Sequence, residues 1–306
     1  MDYQLVCGRY MMVADRSRLI PYLFIAPAAI YFAVFWAYPV FEVVFLSFTS
    51  YDFLSPPKYV GGLNYITLAH DPLFFKSIFI SVEYAFVSQL LTMFIGLTLA
   101  LVINSKLRGM GIFRILYFIP VVASSVAISL IWKTIFDPVY GPLNAGLGSI
   151  GVPPQYWLQT TNLALPSLMI MVIWQFSGYQ MFLFLSGLQT IPPEYYQAAS
   201  IDGASTFKQF YRITLPLLKP TLLFVLVLAT IGGLQVFTPV YVMTGGGPYF
   251  STYTTMFYIY QEAFHYLNVG YASAMSVVFF LLTSVIIGIE IYLMRKGGMS
   301  YYATKV

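Results

Sequence analysis

Long apolar runs separated by short polar segments set the pattern of this chain. A bilayer core takes about 20 mostly apolar residues per helix. Six stretches satisfy that: Leu19–Phe41, Ser77–Ile103, Gly111–Phe136, Leu163–Leu188, Leu218–Met243 and Tyr271–Met294. The pattern predicts an all-α polytopic membrane bundle of about six transmembrane helices, organised as one domain over residues 1–306. The first run continues to Phe48, longer than the core requires, so that helix projects beyond the membrane or tilts. Arg9, Arg16 and Arg18 before it, with the small residues Ala26–Ala29 inside it, imitate a signal peptide. Its apolar length, well past the roughly 15 residues of a signal core, favours an uncleaved first span.

Composition identifies the solvent. Apolar residues are 59% of the chain and charged residues 8%, against about 25% charged in a soluble domain. With a mean hydropathy of +0.78, the chain cannot cover a water-facing surface, and membrane lipid takes that role. The net charge of +4 is too small to argue for nucleic acid. The lone Cys7 excludes a disulfide framework and a cysteine-based zinc site.

Lys and Arg positions predict the orientation. Of the 15, only Lys58, Lys76 and Lys133 fall in or beside one set of loops. On the opposite side lie Arg9, Arg16, Arg18, Lys106, Arg108, Arg114, Lys208, Arg212, Lys219, Arg295, Lys296 and Lys305. The positive-inside bias recurs in every loop, so both termini are expected in the cytoplasm. The outer loops, 49–76, 137–162 and 244–270, are short and rich in Pro, Gly and aromatics.

One segment is too elaborate for a connector. Residues 190–220, on the cytoplasmic side by the charge count, read TIPPEYYQAASIDGASTFKQFYRITLPLLKP. Pro192 and Pro193 suit a first helical turn, and Glu194 favours the same end. A short helix is expected over Glu194–Ile201, ending at the turn dipeptide Asp202–Gly203. Ser205 or Thr206 then caps a second helix, with Phe207, Phe210, Tyr211 and Thr214 along one face. Lys208 and Arg212 repel each other at this spacing, which suits lipid headgroups or an acidic partner.

This segment resembles the "EAA" loop of binding-protein-dependent ABC importer permeases, with its E-A-A-x-x-D-G-A and I-x-L-P patterns. Ala198, Ala199, Asp202, Gly203, Ala204, Ile213, Leu215 and Pro216 match, and Gln197 replaces the usual Glu. Ala26–Pro27, Tyr38–Pro39, Pro120–Trp132, Thr244–Pro248 and the following YIYQEAF resemble the same family. Within it the chain is most similar to the type I, maltose-importer group of sugar and glycerol-phosphate permeases.

The resemblance implies a coupling helix seated on an ATPase, involving Gln197, Ala198, Ala199, Asp202, Gly203 and Ala204. It further implies a second homologous permease, two ATP-binding cassette subunits and an extracytoplasmic solute-binding protein. A prokaryotic inner membrane follows as the location. The resemblance also points to solute contacts from spans four and five, at Tyr179 and Gln235.

The chain has no G-x-x-x-x-G-K-[ST] phosphate cradle, so ATP and Mg are expected on the partner ATPase and no cofactor on this chain. No metal-type cluster and no nucleophile–base pair stands out; His70 and His265 read as ordinary surface histidines. Glu83 and Glu290 sit within spans but toward their ends, where structural roles suit them better than a proton relay. Uncharged groups at mid-depth are better solute candidates: Gln175 and Tyr179 in span four, Gly232 and Gln235 in span five. Amides and aromatic faces suit a neutral sugar or polyol. The plain alternative for these residues is polar packing between helices. TGGGP and the aromatic run Tyr253–Tyr266 are expected either to contact a solute-binding protein or to lie at the interface. An ATP-independent secondary transporter or channel is the competing function, disfavoured by the missing mid-membrane charges.

Overall fold

The computed structural model describes residues 22–104 and 109–296, with side chains described as far as residue 294. Cys7, the arginines before residue 20, Lys106, Arg108 and Lys305 lie outside the described residues.

In chain order the helices are α1 (Tyr22–Leu46), α2 (Leu63–Ala69), α3 (Pro72–Ile103), α4 (Met110–Val122), α5 (Ser125–Ile135) and α6 (Pro142–Ser149). They continue with α7 (Thr161–Gln189), α8 (Pro193–Ile201), α9 (Thr206–Leu217), α10 (Lys219–Leu234), α11 (Thr255–Tyr260) and α12 (Val269–Lys296). Short strands β1 (Thr49–Ser50) and β2 (Lys58–Tyr59) pair antiparallel between α1 and α2, Thr49 opposite Tyr59 and Ser50 opposite Lys58. Among the described residues α1, α3, α7 and α12 each contain a membrane-length apolar stretch; α4–α5 and α9–α10 qualify as bent pairs, at 97° and 66°.

Two predicted spans are therefore not straight rods. The expected third span, Gly111–Phe136, breaks at Ala123 and Ser124, whose ψ angles of 148° and 129° are extended. Pro120 lacks an N–H just before that break and weakens the last turn of α4. The expected fifth span, Leu218–Met243, stops as an α-helix at Leu234 and resumes as a π-helical turn, Val240–Thr244. Pro239 explains the position of the stop: a proline clashes with the carbonyl four residues earlier, here that of Gln235. The 16 residues of α10 span about 24 Å, short of a bilayer core of about 30 Å.

The backbone divides into two compact units, Met1–Ala69 with Glu262–Val277, and His70–Gln261 with Val278–Val306. In the first, Asn64 holds the strand region by donating from its amide to the carbonyls of Ser47 and Thr49, each at 2.9 Å. The backbone at Gly270 approaches closely enough that a Cβ there would lie 2.0 Å from the Thr49 carbonyl oxygen.

The second unit is organised on α3. Asp71 caps it by accepting from the N–H groups of Leu73 (2.8 Å) and Phe74 (3.3 Å), and its other oxygen accepts from the Tyr258 hydroxyl at 2.7 Å. Its buried stripe, Ser77, Ser81, Tyr84, Ser88, Thr92, Gly96 and Ala100, follows helical spacing and is mostly small. Small residues let helices approach closely without water to drive them together. A Cβ on Gly96 would lie 2.8 Å from Gln180 Cβ of α7. On the outward side Phe79, Phe86 and Phe94 are each more than 60% exposed, a surface stable only against lipid or protein.

Candidate functional site: a neutral cavity and an exposed two-helix loop

Where α10 stops, a cavity of about 290 Å³ opens among α3, α5, α7 and the chain just after α10. Tyr179, Gly232 and Gln235 line it, together with Gln89, Ser125, Phe176, Gln180, Phe237 and Thr238. No side chain lining it is charged. Phe176 and Phe237 offer apolar faces, and the amides and hydroxyls offer both donors and acceptors. Gly232 has open space where a Cβ would stand, so the missing side chain leaves the cavity wider.

Gln175 is different. It is 1% exposed and does not border the cavity, and its Oε1 has no hydrogen-bond partner. Val172, Phe176, Tyr179, Gln180 and Leu183 form the cavity face of α7. At about 100° per residue, Gln175 points roughly 80° away from the centre of that face. The structure thus brings three of the four predicted solute residues together and sets the fourth in the packed interior. Tyr84 and Gln89, both on α3, border the cavity without having been expected there. Gln89 is the one amide in α3, which was the available signal.

The loop after α7 folds as two helices. α8 begins at Pro193, within one residue of expectation, and its chain turns at Gly203 with φ +71°. The turn is closed by Ala204 N–H to the Ala199 carbonyl at 2.8 Å and Gly203 N–H to that of Ser200 at 3.1 Å. Ser205 caps α9 as expected, its hydroxyl accepting from Lys208 N–H at 3.4 Å. Gln209 ties the two helices by donating to Ser200 Oγ (3.0 Å) and the Ala204 carbonyl (3.1 Å).

Gln197, Ala198, Asp202 and Gly203 are exposed, while Ala199 and Ala204 are half-buried. The expected aromatic face is not uniform. Thr214 is buried, but Phe207 and Tyr211 are 73% and 53% exposed, with ring centres 4.8 Å apart. Tyr196 supplies the anchor instead. It packs on the apolar cluster of Ala100, Met181, Phe184, Leu188, Ile191, Leu218 and Val225, and its hydroxyl pairs with that of Thr214 at 3.0 Å. The loop is therefore fixed to α3, α7 and α10 on one side and bare on the other.

The remaining candidates do not line this cavity. Glu83 is exposed, and Glu290 accepts a 2.7 Å hydrogen bond from Thr230 on α10. His70 and His265 are exposed, and the described residues contain no metal-type cluster. Within the aromatic run, Tyr253, Phe257 and Tyr258 are buried, whereas Tyr249 just before it is 86% exposed.

A helical membrane bundle with broken spans beside a neutral cavity is the architecture a transport permease requires. Residues 92–296 match the family of binding-protein-dependent transport system inner membrane components, and the chain belongs to that family. It is 35% identical over 289 residues to the sulfoquinovosyl glycerol transport system permease protein SmoG of Agrobacterium fabrum, covering 94% of this chain and 93% of that one. To the trehalose/maltose transport system permease protein MalF of Thermococcus litoralis it is 37% identical over 271 residues, covering 87% and 90%. A chain of the bacterial alginate ABC transporter, solved in complex with an alginate pentasaccharide-bound periplasmic protein, superposes with a TM-score of 0.83 at 23% identity. That match covers 94% of this chain and 98% of that one, and places the fold among ABC importer permeases.

Proposed function

We propose that this permease is one of two channel-forming subunits of an ATP-driven importer for a neutral sugar, oligosaccharide or polyol. The observation that carries the solute class is the cavity at Gln235, lined by amides, phenols, hydroxyls and aromatic faces and by no charge. A phosphorylated or acidic solute would want a cation there. The names of the relatives SmoG and MalF both support a sugar-type solute, and the trehalose and maltose of MalF's name are neutral.

Both termini face the cytoplasm, on the charge bias of the loops. The whole chain acts as one permease domain. It binds no cofactor and has no ATPase site of its own; ATP and Mg are handled by two cassette subunits. A homologous permease completes the passage, and a solute-binding protein delivers from outside. Gln197, Ala198, Ala199, Asp202, Gly203 and Ala204 form the surface that meets the ATPase, and Tyr196 transmits its movement to α7 and α10. Closure of the ATPases with ATP tips the equilibrium between inward and outward states. Tyr179, Gly232 and Gln235 contact the solute.

Uptake into vesicles holding the complete importer tests the solute class. Maltose or trehalose should be taken up in preference to glycerol 3-phosphate; preference for the phosphate ester would overturn the reading.

A further inference from the structure

Two buried polar atoms on residues that border the cavity lack a partner. Tyr84 of α3 is fully buried, and its hydroxyl makes no hydrogen bond. Gln180 of α7 is 4% exposed, and its Oε1 makes none either. Both residues border the same cavity. Native structures keep few such orphans, and each one calls for a reason. The neighbouring Ser88 hydroxyl does not help, because it donates to the Tyr84 carbonyl rather than to its phenol.

Gln180 has one contact to its amide nitrogen: Nε2 donates to Gln89 Oε1 at 3.3 Å, beyond the usual range for such a bond. Gln89 is half-buried and borders the cavity as well. This long contact is a weak tie, and parting it frees the Gln180 amide nitrogen.

We propose that Tyr84 and Gln180 form a recessed subsite for one hydroxyl of the transported solute, with Gln89 as the residue that opens it. A hydroxyl donates once and accepts twice. One solute hydroxyl has the donor and acceptor capacity to serve both orphans, donating to Gln180 Oε1 and accepting from the Tyr84 O–H. A carboxylate or phosphate has no proton for Gln180 Oε1 and would meet it oxygen to oxygen. A deoxy carbon satisfies neither. The subsite thus selects a hydroxyl over a carboxylate, a phosphate or a deoxy carbon at that one position, through a wall of the cavity that α3 contributes. The inference rests on the cavity being the solute's passage.

The test uses the full chain in lipid nanodiscs, with two measurements. Without solute, Tyr84→Phe should melt at or above the wild-type temperature, since it removes an unpaired polar atom. A fall of more than about 5 °C would show that the hydroxyl is bonded within the protein and would overturn the proposal. With maltose or trehalose as probe in saturation-transfer NMR, Tyr84→Phe and Gln180→Leu should each raise the half-saturating concentration about 5- to 20-fold. Unchanged half-saturation in Tyr84→Phe, as expected if a resident water serves the phenol, would also overturn it. Should the wild type bind glycerol 3-phosphate and neither sugar, the neutral-solute reading fails instead, and the melting result still judges the orphan hydroxyl.

Discussion

Gly203 is the residue on which the proposed coupling loop turns, and its replacement gives a graded prediction. Its φ of +71° lies in the left-handed region, and nothing stands within 4 Å of where a Cβ would be. The cost of a side chain is therefore purely conformational, about 1–2 kcal/mol for an ordinary residue. That is roughly a 5- to 30-fold loss in the population of the correct turn. Asn enters this region readily, so Gly203→Asn should cost little and Gly203→Ala more. Gly203→Pro is the extreme case. Proline fixes φ near about −65° and removes the N–H that bonds the Ser200 carbonyl at 3.1 Å.

The assay is ATP hydrolysis by the assembled importer, stimulated by the solute-loaded binding protein, with membrane insertion checked by fluorescence size-exclusion. Stimulation should fall in the order Gly, Asn, Ala, Pro, while insertion is unchanged. Full stimulation in the Pro variant would refute the coupling role. Equal damage from Asn and Pro would show that side-chain bulk, rather than backbone conformation, is what the partner reads.

Further outcomes follow from packing and from the cavity. A Cβ on Gly178 would lie 1.8 Å from the Tyr117 carbonyl oxygen, so Gly178→Ala must push α4 from α7. It should cost about 1–3 kcal/mol and lower the melting temperature by several degrees; an unchanged melt would contradict that contact. Asp71→Ala removes the cap of α3 and the acceptor of the Tyr258 hydroxyl, with an expected loss of about 1–2 kcal/mol, read by thermal unfolding in nanodiscs. Tyr258→Phe should lose less, because the cap survives. Gln235→Leu should raise the KM for uptake about 5- to 10-fold by deleting one amide from the cavity, whereas Gln175→Leu, away from it, should leave KM within about twofold.

The apolar runs and the loop were legible because each has a local cause. Period and length predict a membrane helix whatever it packs against, and Asp202–Gly203 followed by Ser205 is a turn and a cap in any context. The breaks in spans three and five were not legible from hydropathy, since Ala123, Val236 and Phe237 continue the apolar run through each break. Pro120 and Pro239 were the visible clues. The position of Gln175 has a different source: polarity and depth say nothing of angular position on α7. Tyr84 and Gln89 carry no charge to mark them, and the signal in α3 is a single amide in a mostly apolar helix. Phe207 and Tyr211 share a helical face with Thr214, but periodicity alone does not say which part of a face the fold covers.

The central claim is that this chain supplies a passage and a lever while other subunits supply energy. Its most direct test is uptake of radiolabelled maltose into proteoliposomes containing the chain alone, or the chain with its partner permease, ATPase and binding protein. Uptake is expected only in the complete assembly, and only with ATP inside the vesicles. Uptake by the lone chain driven by an ion gradient would contradict it.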